Sequence, residues 1–406
     1  MGVSPFCLNM GGLTLISITK LLCQNAEHYG DGLRYHHGSR GAVHGVSDSL
    51  GPVVVWNCTR TCNLNCLHCY ARSEKRPFNG ELDTNEARHF IDDLAAFRVP
   101  VLLFSGGEPL MREDIHELVE YAASRGLRAT ISTNGTLIDG KTARKFKKAG
   151  ISYVGVSLDG IGTAHDQFRG QKGAFDEALT GINHCLSAGL KVGLRFTVTR
   201  HNLSQVPDMF RLIKEEGIPR VCFYHLVYSG RGIQIIEEDI TPGEKRALLD
   251  LIAQQVQVMD AEGTMKEVLT VDNHADGVYL YLKMKAEDHA AAERIWRLIS
   301  MNGGNRSGMA ISAVDSQGFV HPDQFTPDHA FGNVRERSFG EIWTDTSHPL
   351  LRGLKDRKPL LKGRCGRCRW LSVCNGNLRS RAEAVYGDFW ASDPGCYLME
   401  EEIILE

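Results

Sequence analysis

The stretch Val53-Val-Val-Trp56-Asn-Cys58-Thr-Arg-Thr-Cys62-Asn-Leu-Asn-Cys66-Leu-His-Cys69-Tyr70 joins an apolar run to a cysteine-bearing loop. Val53–Trp56 has no polar residue, as expected of a strand covered on both faces. Directly after it, Cys62, Cys66 and Cys69 have the spacing C-x3-C-x2-C. Three thiolates on one loop can bind three irons of a [4Fe–4S] cluster and leave the fourth iron open. Structural zinc would want a fourth ligand, for which Cys58 or His68 is available. The residues beyond Tyr70 weigh between the two.

Similar apolar runs recur at Val101–Phe104, Leu127–Ser132, Tyr153–Leu158, Lys191–Val198 and Arg220–Leu226. Helical patterns separate them. Asp83 with Glu86 is a capping box for a helix running to about Phe97. Gly126, Gly150, Gly189 and Gly217 each close a helical pattern before the next strand. Six βα units in series imply a parallel sheet with right-handed crossovers, two units short of a closed barrel. The expected fold is α/β, a partial (βα)6 TIM-like barrel with a loop-rich C-terminal extension. Ligands of such a sheet bind at the carboxyl ends of its strands. There the chain carries Ser105-Gly106-Gly107-Glu108-Pro109, Ser132-Thr-Asn134-Gly135 and Ser157-Leu-Asp159-Gly160. The glycines permit close backbone approach, and small polar side chains suit ribose hydroxyls. Singly each motif is an ordinary turn; their order along the strand ends argues for a ligand.

These residues resemble the radical S-adenosylmethionine (SAM) enzymes. The resemblance implies that Cys62, Cys66 and Cys69 hold a [4Fe–4S] cluster whose open iron binds SAM. It carries over Gly106, Gly107 and Glu108 as contacts to the methionine amino group. Ser132, Asn134 and Ser157 match positions at the ribose or carboxylate, and Arg195 is a partner for the SAM carboxylate. His68 stands where an aromatic residue often precedes the last cysteine.

Near the C-terminus, Cys365-x2-Cys368-x5-Cys374 and Cys396 supply four more thiols, enough for zinc or a fully ligated cluster. This part is similar to the SPASM or Twitch extension of radical SAM enzymes, which implies an auxiliary [4Fe–4S] cluster. Leu378 and Asp323 stand where a full SPASM pattern has further cysteines, so one auxiliary cluster is expected and two clusters in all. Cys7, Cys23, Cys58, Cys185 and Cys222 are expected to pack as small apolar residues. The expected division is 1–50 N-terminal extension, 51–235 core barrel, 236–305 helical connection and 306–406 auxiliary-cluster domain. The connection carries helices at Thr241–Glu262 and Asp288–Met301. A hairpin of Ala310–Val314 with Phe319–His321 comes next.

The stretches around Phe223–Arg231, Leu269–Gly277 and Asn302–Gly308 resemble the tetrapyrrole-processing branch of the family. So do His321–Phe325 and the tail from Arg379 to Tyr397. The resemblance implies a siroheme-derived macrocycle that loses ring side chains in heme or heme d1 biosynthesis. Such a substrate wants cationic groups, an apolar floor and an axial histidine for its iron. His225, Arg231, His274 and Arg306 are the candidates for its binding, with His321 also considered. Residues 352–381 hold ten Lys or Arg against one Asp, either a carboxylate-holding surface or a solvated face. A peptide maturase is the alternative, although no leader-recognition region is visible.

The 406 residues are 42% hydrophobic and 23% charged with net charge −3, a globular composition without a global field for nucleic acid. No RNA-binding motif, signal peptide or 18-residue apolar run is seen, so neither nucleic acid nor membrane is an expected partner. Clustered rather than scaffold-forming cysteines fit a reduced, cytoplasmic protein. A flavodoxin or ferredoxin would serve as electron donor.

Overall fold

The computed structural model describes residues 15–23, 26, 31–35 and 43–404; Cys7 lies outside them. The six expected strands are present as β2 (Val53–Thr59), β3 (Val101–Gly106), β4 (Arg128–Thr133), β5 (Tyr153–Ser157), β6 (Val192–Val198) and β7 (Arg220–His225). They pair in parallel, each with the next in the chain. Four further strands extend this sheet. At one side β8 (Glu267–Val271) pairs in parallel with β7, and β1 (Leu15–Ser17) runs antiparallel to β8. At the other, β9 (Ile311–Val314) pairs in parallel with β2, and β10 (Val320–His321) closes the expected hairpin against β9.

The stretch expected to be a purely helical connection thus contains β8, and the hairpin expected in the C-terminal extension belongs to the main sheet. β8 is buried at all five positions. Its Glu267 pairs with both Arg34 and Arg220, each also buried. The helices Pro242–Ala261 and His289–Asn302 form as expected, with an additional one at Ala275–Glu287. The capping box forms as the sequence requires: Glu86 N–H donates to Asp83 and Asp83 N–H to Glu86, both at 2.9 Å. Gly150 ends its helix at φ +88°, a conformation cheap only for glycine.

Strand periodicity divides the side chains between two environments. Val54, Trp56, Leu102, Phe104, Ile131, Val154, Leu194, Phe196 and Phe223 face the helices and form the core. Trp56, fully buried, packs edge-on against Phe90 with ring centroids 5.5 Å apart. The alternate residues face inward and line one cleft, which encloses about 1700 Å³ with its open mouth included. Two glycines widen it. A Cβ at Gly193 would fall 2.1 Å from the Tyr153 hydroxyl, and one at Gly155 would fall 2.7 Å from Arg195 Nε. Among the described residues no helix is long and apolar enough to cross a membrane.

Candidate functional site

Cys62, Cys66 and Cys69 line the cleft at the carboxyl end of β2. Each sulfur accepts an N–H: Cys62 from Leu64 at 3.4 Å, Cys66 from Arg169 Nη1 at 3.5 Å and Cys69 from Ser73 at 3.5 Å. Donors aimed at sulfur stabilise thiolate and help set the potential of a bound cluster. Burial first, and then the neighbouring Glu108, Cys66 and Cys69, push the Cys62 thiol up to about 12 against the Leu64 N–H, a shift that positive charge beside the sulfur opposes.

The cysteine loop is clamped from a distance. Arg231 donates from Nε to the Cys66 carbonyl (2.8 Å) and from Nη1 to that of Ser73 (2.9 Å). Its backbone N–H reaches the Cys69 carbonyl at 2.9 Å. Gly230, at φ +61°, permits this approach: a Cβ there would sit 2.4 Å from the Cys69 oxygen. Arg231 therefore lines the cleft as expected but spends two of its nitrogens on the loop; its buried Nη2 has no hydrogen-bond partner. Arg169 and Asp159, not expected from the sequence to be ligand contacts, form a buried ion pair beside Cys66. The signal was the Phe168-Arg169-Gly170 turn closing the helix after Asp159-Gly160.

Gly106, Gly107, Ser132, Asn134, Ser157 and Arg195 all line the same cleft. Arg195 Nη1 donates to Ser132 Oγ at 2.8 Å, and Ser157 is its register partner across β5 and β6. The two glycines are also required by packing, since a Cβ on either would lie within 2.3 Å of the carbonyl of Thr59 or Thr61. Glu108 differs from expectation. Fully buried, it does not line the cleft; it accepts from Thr133 Oγ1 (2.8 Å), Asn134 N (2.8 Å) and Leu110 N (3.2 Å). Burial pushes its carboxyl up to about 7 against those donors. Its carboxylate ties two strand-end loops together.

His225, the last residue of β7, lines the cleft; His274 and Arg306 do not. His274 is buried beside the tail, its backbone N–H bonded to Asn377 at 2.9 Å, and burial drives its pKa down to about 4. Arg306 precedes β9 and so stands at the amino end of the parallel sheet, away from the cleft mouth, donating to the Gly45 carbonyl at 3.1 Å. His321 is held by the His329 carbonyl (2.9 Å) and Asp315 (3.3 Å).

Cys365, Cys368, Cys374 and Cys396 come together around a second, smaller pocket with Ala275, Trp370, Asn377 and Asp393. Cys368 accepts from Trp370 N at 3.4 Å. The described cysteines form no disulfide. Nor do three His, Cys, Asp or Glu side chains among the described residues converge as ligands of a single ion would. Cys23, Cys58, Cys185 and Cys222 are buried as expected, and Cys222 also faces the cleft.

The basic stretch is neither a carboxylate-holding surface nor a solvated face at its three most buried members. Arg357 donates to Asn305 and to the Ser307 carbonyl, and Arg379 to the carbonyls of Gly376, Phe389 and Ala391. Arg381 forks onto Asp393 at 3.0 and 2.9 Å and reaches the carbonyls of Leu226 and Asp272. Arg364 is bound to Glu400 and to the Leu398 carbonyl. These side chains brace the tail and fasten it to the barrel.

A parallel sheet curled about a cleft, with three donor-capped thiols at the carboxyl end of its first βα unit, defines an iron–sulfur enzyme of the radical SAM class. The family model described as the radical SAM superfamily matches residues 56–213. The chain is 54% identical over 395 residues to Fe-coproporphyrin III synthase of Methanosarcina barkeri, covering 96% of this chain and 99% of that protein. It is 42% identical over 353 residues to pre-heme d1 synthase of Dinoroseobacter shibae, covering 86% and 87%. Streptococcus suis SuiB bound to S-adenosylmethionine shares the fold at TM-score 0.69 and 18% identity, over 86% of this chain and 78% of that one. The chain belongs to the radical SAM superfamily, in the tetrapyrrole branch to which these two enzymes belong. Membership implies a [4Fe–4S] cluster and SAM, and the capped thiols of the cleft are a donor set that fits that cluster.

Proposed function

We propose that this enzyme removes carboxylate-bearing side chains, acetate or propionate, from an iron-containing, siroheme-derived tetrapyrrole in heme or heme d1 biosynthesis. Cys62, Cys66 and Cys69 hold the SAM-binding cluster, and Cys365, Cys368, Cys374 and Cys396 hold one auxiliary cluster. Leu378 supports a single auxiliary cluster: it packs among Val227 and Phe325, filling with hydrocarbon the place of a further ligand. Bound together, the first cluster and SAM supply a 5′-deoxyadenosyl radical for hydrogen abstraction. The chain's residues do the rest. Ser132, Ser157 and Arg195 position SAM, while Tyr70, Tyr224 and Phe325 give the cleft an aromatic wall. Arg231 Nη2, buried and still to be satisfied, is the group we assign to a ring carboxylate.

The observation that carries this reading is the 54% identity to Fe-coproporphyrin III synthase across 96% of the chain. It also supports an iron coproporphyrin as product. The peptide-maturase alternative has 32% identity to the mycofactocin maturase MftC of Mycobacterium ulcerans and the SuiB fold behind it, both weaker. A flavodoxin or ferredoxin in the cytoplasm would deliver the electrons. The deciding experiment is anaerobic turnover of 12,18-didecarboxysiroheme with SAM and a reductant, followed by mass analysis. Loss of two side chains with deoxyadenosine release is expected. Deoxyadenosine release with an unaltered macrocycle would refute the assignment.

A further inference from the structure

We propose that the outer side of the cysteine loop docks a small acidic electron-carrier protein through Arg60, Arg72, Lys75 and Arg76, a role that rests on the cluster assignment above. The segment Arg72–Arg76 is stitched to the loop. Arg72 N–H donates to the Cys69 carbonyl at 3.4 Å, Ser73 N–H to the Cys69 sulfur at 3.5 Å, and Cys62 N–H to the Glu74 carbonyl at 3.0 Å. The cationic side chains of this segment, Arg72, Lys75 and Arg76, are exposed, and none of them lines the cleft. The guanidinium groups of Arg60 and Arg76 each stand 4.3 Å from the centroid of the Phe78 ring, which gathers two cations about one aromatic group. Leu67, between Cys66 and Cys69, is 43% exposed.

Charge on this face runs against that of the chain as a whole, which is −3. Glu74 is taken up by Arg76 at 2.8 Å, and Glu81 by the Arg60 backbone N–H at 2.7 Å. Among the described residues no carboxylate pairs with Arg60, Arg72 or Lys75. Arg72 stands at φ +48°, where a glycine would turn the chain with less strain; an exposed guanidinium is what the arginine adds. Solvated cations around an exposed apolar side chain suit a transient interface, and their field speeds encounter with a partner of opposite charge. What lies beneath sets the class of partner. The loop holds the ligands of a cluster that must take up one electron, and a carrier seated outside the cleft need not displace SAM or tetrapyrrole. In that transfer a flavin hydroquinone of the carrier becomes the semiquinone and the [4Fe–4S]2+ cluster becomes [4Fe–4S]+, with no bond made or broken. A more basic helix, Gly140–Ala149 with Lys141, Arg144, Lys145, Lys147 and Lys148, follows β4, two strands from the loop, and provides a control.

The probe is an acidic flavodoxin, used on the anaerobically reconstituted enzyme. Calorimetric titration gives the affinity for its oxidised form. Deoxyadenosine release from SAM is driven by its hydroquinone and, in parallel, by titanium(III) citrate. The unmutated enzyme should bind flavodoxin and lose affinity as salt rises. Arg72→Glu with Lys75→Glu should weaken binding at least about tenfold and slow flavodoxin-driven release to match, while titanium-driven release stays within about twofold. Arg72→Gln with Lys75→Gln should fall between the two proteins. Lys145→Glu with Lys148→Glu, on the control helix, should leave flavodoxin binding within about twofold of the unmutated value. Unchanged binding in the first variant, an equal loss in the helix variant or a parallel loss with titanium overturns the docking site, as does an unmutated enzyme that binds no flavodoxin. If titanium citrate drives no SAM cleavage by the unmutated enzyme, the cluster assignment itself falls, a result distinct from any change in binding.

Discussion

Asp393→Asn probes what fastens the C-terminal tail to the barrel. Asp393 is buried and takes four hydrogen bonds. Oδ1 accepts Arg381 Nε (3.0 Å) and Gly395 N (2.8 Å), and Oδ2 accepts Arg381 Nη2 (2.9 Å) and Leu378 N (3.1 Å). An asparagine keeps one oxygen. Whichever way its amide turns, one guanidinium N–H and one backbone N–H then face an NH2 group. Each buried group left unsatisfied costs about 1–3 kcal/mol, so the pair costs roughly 2–6 kcal/mol. Breaking a buried ion pair by removing one partner gives about 3–5 kcal/mol, within the same range. A loss of about 4 kcal/mol is roughly a thousandfold in the unfolding equilibrium. The assay is anaerobic guanidinium unfolding of the reconstituted enzyme, with iron release to a chelator followed in parallel. Replacing both partners, Arg381→Met with Asp393→Leu, should cost less than Asp393→Asn alone. A single-variant loss below about 1 kcal/mol would refute the view that this pair secures the tail.

Two further outcomes are expected of the sites. Reconstituted enzyme should carry about eight irons, and replacement of Cys62, Cys66 and Cys69 together should leave about four, with SAM cleavage abolished; unchanged iron would exclude these ligands. Glu108 should make stability depend on pH, because its folded pKa of about 7 is raised above the ordinary carboxyl value. The folded state then binds the extra proton, so stability is fully present below pH about 4.3 and declines as pH rises toward 7, by a few kcal/mol at most. Glu108→Gln should flatten unfolding free energy between pH 5 and 8; an equal slope in both proteins would contradict the burial argument.

The six central strands were legible because their outward residues, such as Val54 and Trp56 or Leu194 and Phe196, must be apolar to meet helices, and that constraint is local. β8 escaped notice because it opens on a charged residue. Glu267 is tolerable there only through Arg34 and Arg220, partners separated from it by 233 and 47 positions. The hairpin was legible from its turn, yet its pairing with β2 depends on a meeting of distant segments. At the site, spacing brought out the cysteines and strand-end order the Ser132–Arg195 group. The roles of Arg357, Arg379 and Arg381 were hidden because most of their acceptors are backbone carbonyls, which every residue possesses. Arg306 misled for a related reason: a glycine-flanked loop looks the same at either end of a sheet.

The pairing of β9 with β2 has a consequence for the nascent chain. The free edge of β2, with Val53 destined to lie beside Ile311, stays uncovered until the ribosome has added 258 more residues (311 − 53). At about 5–20 residues per second that is roughly 13–50 s. Throughout that time an apolar strand with unpaired backbone groups is open to wrong partners. Production of this enzyme should therefore depend on protection during synthesis. Chains cut short before residue 311 should aggregate even though the cysteine loop and all six βα units have already been made.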